Sequence, residues 1–157
     1  NPSTPTHLRF PTIAGFTVRG DFEGGALLSD FGALLLHGVD RQTGLVERLT
    51  AAMDDRRRPS YVDHRLADLL RQRIFQTACG YADGDDANHL RHDPIFKLAA
   101  ERAPLAADNA LASGPTFSRL ENGVSRKDIY RLAQAFKTTR RQRFPVDLGL
   151  KPRMRAE

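Results

Sequence analysis

Small polar and basic residues cluster in one short segment that has the spacing of a helix. Thr116, Ser118 and Arg119 lie off the line formed by the apolar residues Phe117 and Leu120. A DNA-recognition helix presents small polar side chains and arginine near its N-terminal end, with apolar residues behind them. The chemistry indicated is hydrogen bonding to bases and phosphates. An ordinary capped surface helix has the same periodicity, so the pattern alone leaves both interpretations open.

Two further groups of cations are candidates for contact with phosphates. Arg126 and Lys127 lie at the predicted start of a helix, where cations oppose the helix dipole and an anion partner would explain them. Three consecutive arginines, residues 56–58, follow two aspartates in a polar loop. Such charge runs are usually solvated turns, and phosphate contact is the alternative. The candidate DNA-binding residues are therefore Thr116, Ser118, Arg119, Arg126, Lys127, Arg56, Arg57 and Arg58.

The acidic, histidine-containing stretch 81–92 is the candidate for a metal site. Its potential ligands are Asp85, Asp86, His89 and His92, and the two histidines would share one helical face. The spacing matches no familiar zinc pattern, and the stretch lacks the ligand ladder and closing glutamate of a calcium loop. We therefore favour a capped turn, and we predict no catalytic, cofactor-binding or metal-binding residue in this chain.

Composition indicates a soluble, cytoplasmic domain with a polyanionic partner. The chain has 157 residues, which is enough for one domain with a core, and a formal net charge of +5. The last 21 residues hold seven basic and two acidic residues, whereas the rest of the chain has 17 of each. No apolar run is long enough to cross a membrane. The single cysteine, Cys79, excludes an internal disulfide and is predicted to be a buried structural thiol.

The elements that must position these residues are mostly helices. Residues 1–12, with three prolines, are predicted to be a flexible arm, and residues 137–157 a basic, disordered tail. The domain between them, 13–136, begins with a β-hairpin over 13–28 that turns at Gly24-Gly25. A bundle of short helices follows. The predicted helices are 31–41, 45–53, 60–78, 93–102, 113–123 and 125–137, of which 60–78 is the longest.

Capping signals and apolar faces define several of these helices. Ser113 is predicted to cap the helix 113–123, and Asn122-Gly123 to end it in a left-handed conformation. Ser125 with Asp128 forms a capping box for the last helix. The predicted inner faces are Leu34, Leu35, Gly38 and Val39 in the first helix, and Ile129, Leu132, Ala133 and Phe136 in the last. The fold class is thus mainly α, with an N-terminal β-hairpin, a bundle of short helices and a candidate helix-turn-helix over 113–136.

Five collinear segments together resemble the N-terminal part of bacterial insertion-sequence transposases of the DDE type, in the group numbered thirteen-eighty. They are FEGGALLSDFGALLL at 22–36, LLRQRIF at 69–75, GYAD at 80–83, LRHDP at 90–94 and PTFSRLEN at 115–122. The resemblance covers about residues 15–136 and makes DNA binding the leading interpretation. It implies DNA, specifically the terminal repeats of the element, as a partner, and a homo-oligomer or full-length transposase as another.

The resemblance also implies what this chain lacks. Relatives add an α/β RNase H-like core in which three carboxylates bind divalent Mg or Mn for strand transfer. Asp147 superficially imitates the strand that bears the first carboxylate, but it comes too early and Gly149 follows where another acid is expected. We therefore expect a truncated or frameshifted transposase, nucleoid-associated if DNA-bound, whose enzymatic activity is uncertain. The alternative is a helical interaction module that oligomerises with or inhibits full-length transposase without specific DNA binding.

Overall fold

A computed structural model describes residues 7–21 and 30–143, and it gives the side chains within 10–20 and 30–139. The fold is mainly helical with an N-terminal hairpin of two short strands, as predicted. None of the helices in the described ranges has the length and apolar character required to cross a bilayer. The predicted turn at Gly24-Gly25 and the strand after it lie outside the described residues.

The hairpin forms earlier in the chain than predicted. Strand β1 (His7–Arg9) pairs antiparallel with β2 (Arg19–Asp21), so part of the expected arm over 1–12 belongs to the hairpin. Between the strands, Ala14 and Gly15 both adopt left-handed conformations, with φ angles of 49° and 83°. Their flanking residues exchange backbone hydrogen bonds of 2.8 and 3.0 Å. A two-residue turn of this hand matches the twist of the two strands, which explains why the chain reverses here.

Seven α-helices follow within residues 30–143. They are α1 (Gly32–Thr43), α2 (Leu45–Ala52), α3 (Leu66–Ala78), α4 (Asp86–His89), α5 (Pro94–Ala99), α6 (Gly114–Gly123) and α7 (Arg126–Arg143). The helix predicted over 60–78 begins six residues late, because Pro59–Tyr61 forms a separate 3-10 turn and Arg65 has an extended backbone. As a result α7, with 18 residues, is longer than α3.

Helix α7 continues to Arg143, whereas the sequence predicted its end at residue 137. The hydroxyl groups of Thr138 and Thr139 each donate a 3.0 Å hydrogen bond to the carbonyl oxygen four residues earlier. The Thr139 hydroxyl also accepts a 3.2 Å hydrogen bond from Arg48 of α2, against which α7 packs. Polar contacts of this kind leave no apolar periodicity in the sequence, so the extension could not be seen there. The remainder of the predicted tail, 144–157, lies outside the described residues.

The main core lies where α1 packs against α3 and α5. Its residues are buried and almost entirely aliphatic or aromatic. They are Ile13, Ala33, Leu34, Phe75, Ile95, Phe96, Leu98, Ala99, Ala100 and Leu111. Cys79 packs at the edge of this cluster as a half-buried free thiol, and its burial raises the thiol pKa. Asp93 caps α5 by accepting hydrogen bonds from two backbone N–H groups, as the Asp-Pro sequence predicts.

The inner face of α1 differs from the predicted one. Leu35 and Val39 are more than half exposed, whereas His37 and Asp40 are buried. The Asp40 carboxylate accepts a 2.8 Å hydrogen bond from the backbone N–H of Val46, in the first turn of α2. This carboxylate takes the role of a helix cap, because the preceding Gly44 has no side chain to offer. Because Asp40 must face α2 to make this contact, it lies on the inner side of α1, and Leu35 and Val39 lie on the outer side.

Two histidines are held in surroundings that favour the neutral ring. Burial is the main cause that lowers the pKa of His37, whose two ring nitrogens have no hydrogen-bond partner among the described residues. Burial and then the charge of Arg102 lower the pKa of His64. The Arg102 guanidinium lies 2.9 Å from His64 Nδ1, which can accept its hydrogen bond only when that nitrogen is unprotonated.

These histidines should make stability fall in mild acid. The unfolded chain binds protons at an ordinary histidine pKa of 6.5, above the pKa of either folded group. The contribution of the two histidines to the free energy of unfolding is therefore complete above about pH 6.5 and is lost as the pH falls below that value. We expect a lower urea midpoint at about pH 5.5 than at about pH 7.5. His37→Gln should reduce the difference, and His92→Gln, which changes an exposed side chain, should leave it unaltered.

Candidate nucleic-acid interface

Helix α6 is attached to the rest of the protein through the segment just before it. The side-chain amide of Gln72, in α3, donates a 3.0 Å hydrogen bond to the carbonyl oxygen of Ala112 and accepts a 2.9 Å bond from its N–H. Both residues are buried. Because this pair satisfies two backbone groups that water cannot reach, it fixes the path of the chain into α6.

The first residue of α6 packs against α4 and the turn before it. The N–H of Gly114 donates a 3.0 Å hydrogen bond to the side chain of Asn88. A Cβ atom at Gly114 would lie 2.7 Å from the carbonyl oxygen of Gly84, a distance that real Cβ atoms essentially never show. Glycine is therefore required here for close approach of two backbones rather than for an unusual φ angle.

The apolar face of α6 points inward as the sequence predicts. Phe117 is 1% exposed and packs with Leu69 and Leu120 in a second, smaller core cluster. The guanidinium of Arg73 lies 5.7 Å from the centre of the Phe117 ring and donates a 3.0 Å hydrogen bond to Glu121. These contacts hold the buried side of α6 against α3.

The candidate contact residues of α6 lie off its buried face. Ser118 and Arg119 are exposed, and Thr116 is partly exposed. Arg119 Nε donates a 3.2 Å hydrogen bond to a carbonyl oxygen of its own helix, which leaves the outer nitrogens of the guanidinium without a partner among the described residues. Thr116 Oγ1 lies 3.2 Å from the hydroxyl of Ser113.

Both ends of α6 differ from the predicted capping. The Ser113 side chain accepts no hydrogen bond from a backbone N–H, because its hydroxyl is engaged with that of Thr116. At the other end, Gly123 remains helical and the chain leaves through Val124, which is extended (φ −75°, ψ 124°). The prediction of a left-handed end at Asn122-Gly123 is therefore wrong, since an extended residue is what directs the chain into α7.

The predicted capping box at the start of α7 is confirmed. The Asp128 carboxylate accepts a 3.0 Å hydrogen bond from the Ser125 N–H, and the Ser125 hydroxyl accepts a 3.2 Å bond from the Asp128 N–H. Hydrogen bonds from the Ser125 hydroxyl and then from its N–H lower the pKa of Asp128. Only residues 124 and 125 separate α6 from α7, so the capping box sets the angle at which the two helices meet.

Arg126 and Lys127 occupy the first turn of α7 and are exposed. Neither forms an ion pair or a side-chain hydrogen bond within the described part of the chain. Because unpaired cations at a helix N-terminus oppose the dipole, both would be stabilised by an external anion.

The three consecutive arginines have different environments. Arg57 forms two hydrogen bonds to the Asp55 carboxylate, of 2.8 and 2.7 Å, and a third of 3.0 Å to the carbonyl oxygen of His64. These bonds lower the pKa of Asp55 and raise that of Arg57. Arg56 lies 3.8 Å from Asp128 and is largely exposed. Arg58 is exposed and has no partner within the described ranges.

A cavity of about 370 Å³ joins the arginine loop to α6. Of the predicted residues, Arg56, Arg57, Thr116 and Arg119 line it. The other four candidates lie outside its walls, and they are Ser118, Arg58, Arg126 and Lys127. The eight candidates therefore do not form a single site: four line the cleft and four lie outside it.

Two residues of this cleft were missed by the sequence analysis. Tyr61 is 81% exposed at the cavity, and Asp128 lines its wall in addition to capping α7. A tyrosine inside a proline-initiated turn, three residues after an arginine run, is the signal that could have indicated an exposed aromatic contact. The pairing of Asp128 with Arg56 joins residues 72 positions apart, and local sequence patterns contain no trace of it.

The turn that the sequence favoured is present at the start of the acidic stretch 81–92, and α4 and a 3-10 helix (Leu90–His92) form the rest of it. Asp86 accepts a 3.0 Å hydrogen bond from the N–H of Asp83, whose own carboxylate accepts a 3.1 Å bond from the N–H of Asp85. Within the described ranges, no three His, Cys, Asp or Glu side chains are grouped so that they could hold a metal ion.

Comparison with known families gives one match over most of the chain. A family model described as transposase DDE domain, group 1, matches residues 10–147. Neither a curated protein nor a solved structure matches significantly.

Proposed function

The chain belongs to the family of group 1 transposase DDE domains, and we propose that its α6–α7 unit binds the terminal-repeat DNA of the transposable element. Its function is related to DNA transposition. We infer a role in DNA binding and assembly for this region from the surface of α6 and α7.

The observation that carries this proposal is the pair of unpaired cations at the start of α7. Arg126 and Lys127 are free to meet phosphates, whereas Arg57 is already held by a carboxylate. Arg119, on the neighbouring α6, supports the proposal because its outer guanidinium nitrogens are available for the bidentate contacts that arginine makes with guanine or phosphate. Phosphate contacts would position the unit, and α6 would supply the sequence preference.

We propose no strand-transfer chemistry for the described residues. Transposases of this type use carboxylates that bind two divalent metals, and such a site needs several oxygen ligands around shared ions. The nearest approximation, the aspartates around residue 85, bonds to the N–H groups of its own turn. These residues therefore do not fit the metals.

Neutralising the two cations in the first turn of α7 should weaken DNA binding and its salt dependence. Each phosphate contact contributes about 0.9 to the slope of log K against log salt concentration. For the double variant Arg126→Ala/Lys127→Ala we expect the slope to fall by about 1.8. The measurement is a salt titration against a duplex carrying the terminal repeat and a scrambled duplex, repeated without residues 144–157.

Two controls make this experiment specific. Arg41→Ala removes an exposed cation from α1 and should leave the slope nearly unchanged. Arg119→Ala should reduce the preference for the terminal repeat over the scrambled duplex, and it should lower the slope by no more than about 0.9, the contribution of one phosphate contact. Binding that is equal for both duplexes and disappears with residues 144–157 would contradict recognition by α6 and α7.

The alternative function, an interaction module that pairs with itself or with full-length transposase, is favoured by one observation. Ile129, Tyr130 and Phe136 of α7 are more than half exposed, although the sequence predicted an inward face containing two of them. Contiguous exposed apolar surface is typical of protein interfaces. The predicted packing fails because α7 packs on α2 with the neighbouring side of the helix, which carries Asp128 and Thr139, and there Thr139 meets Arg48.

The double variant Ile129→Ser/Phe136→Ser tests this alternative. If α7 mediates self-association, the variant should remain folded and shift towards monomer in sedimentation at rising protein concentration. A matched variant of exposed apolar residues on α1, Leu35→Ser/Val39→Ser, should keep the wild-type distribution. A wild-type chain that is monomeric at every concentration would exclude self-pairing.

A further inference from the structure

The cavity between the arginine loop and α6 has mainly apolar walls. Five aliphatic or thioether side chains from three separate parts of the chain form its apolar wall. They are Met53, Val62, Leu66, Leu120 and Val124. Its volume of about 370 Å³ falls in the range of sites that bind small organic groups. Tyr61 adds an aromatic ring to the wall that is 81% exposed and therefore free to stack on a ligand.

The charged groups of the cavity exclude a simple phosphate site. Four aspartates line it and would repel an anion placed inside, and they are Asp54, Asp55, Asp63 and Asp128. Asp128 is 2% exposed, and its Oδ1 atom has no hydrogen-bond partner among the described residues. The interior thus suits a largely apolar group that can donate a hydrogen bond at its edge, and the exposed Tyr61 ring favours a planar one.

Two exposed cations at the same cavity, in contrast, suit phosphates. The guanidinium groups of Arg56 and Arg119 belong to the same cavity, one from the loop and one from α6, and both side chains are exposed. A planar group inside with phosphates on either side of it is the chemistry of one nucleotide in a DNA strand.

We propose that this cavity takes one unpaired nucleobase of the bound DNA, stacked on Tyr61, with Arg56 and Arg119 on the flanking phosphates. The proposal rests on the proposed DNA-binding function and names the part of the DNA that the cleft would recognise. An unpaired base is required because a base inside a duplex cannot present its face to a tyrosine ring.

The test uses a short duplex with one unpaired nucleotide, prepared with either a normal base or an abasic sugar at that position. Stacking of a base on an aromatic side chain is worth a factor of about ten in affinity. We therefore expect wild-type protein to bind the base-containing bulge about tenfold more tightly than the abasic one. Tyr61→Ala should abolish this preference, and Tyr61→Phe, which keeps the ring, should retain it.

A second readout separates stacking from a structural effect of the substitution. With 2-aminopurine as the unpaired base, wild-type protein and Tyr61→Phe should quench its fluorescence, and Tyr61→Ala should not. Equal affinity of the wild type for both bulges, or quenching that survives Tyr61→Ala, would overturn the proposal. If Arg126→Ala/Lys127→Ala weakens binding to both bulges while neither bulge is preferred, DNA binding stands and only the base pocket fails. If none of the duplexes binds, the proposed function itself fails.

Discussion

Replacing Phe117 with alanine should lower the free energy of unfolding by about 3–5 kcal/mol. The ring is 1% exposed, packs against Leu69 and has the Arg73 guanidinium 5.7 Å from its centre. Removing it leaves a cavity under α6 and deprives the arginine of its aromatic partner. Because Phe117 is the buried apolar side chain of this short helix, DNA binding should decline together with stability.

Urea denaturation measures the effect, and Phe136→Ala provides the control. Phe136 is 56% exposed on α7, so truncating the same side chain there should change stability by less than about 0.5 kcal/mol. Equal losses for the two variants would show that α6 does not depend on its buried face.

Lys97→Ala should be the second strongly destabilising substitution, with a cost of about 2–5 kcal/mol. Lys97 is 1% exposed in α5, and its ammonium donates a hydrogen bond to the carbonyl oxygen of Ala106 in the connector that leads towards α6. Alanine removes both the aliphatic stem from the core and the contact that holds the connector.

The comparison that identifies the cause is Lys97→Met. Methionine keeps most of the volume and removes the charge, so its cost should stay below about 1.5 kcal/mol if packing dominates. Thermal unfolding of both variants measures the difference. A methionine variant as unstable as the alanine variant would assign the stability to the hydrogen bond with Ala106 instead.

Features set by neighbouring residues could be predicted from the sequence. The capping box of Ser125 and Asp128, the Asp93-Pro94 start of α5 and the inward position of Phe117 all follow from groups a few positions apart. In each case, the side chain satisfies a backbone group of its own turn or lies on a regular apolar line. Such local rules identified α6, which is the helix that the candidate interface needs.

Features set by contacts across the chain could not be predicted in the same way. The Gln72 amide reaches the backbone of Ala112, 40 residues away, and no periodicity anticipates that pairing. The arginine run was ambiguous for a related reason, since only the fold shows that Asp55 and the His64 carbonyl hold Arg57. The outward face of α7 likewise depends on which side of that helix α2 occupies.

The close contact between Gly114 and Gly84 limits how α6 can move. Its first turn is confined by a backbone carbonyl, by the Asn88 side chain and, one step earlier, by the Gln72 pair. The far end is joined to α3 by the hydrogen bond between Arg73 and Glu121, and beyond it the chain passes through Val124 into α7, which packs on α2. Helix α6 is therefore held at both ends, and we expect it to meet DNA as a preformed surface rather than one that adjusts on binding.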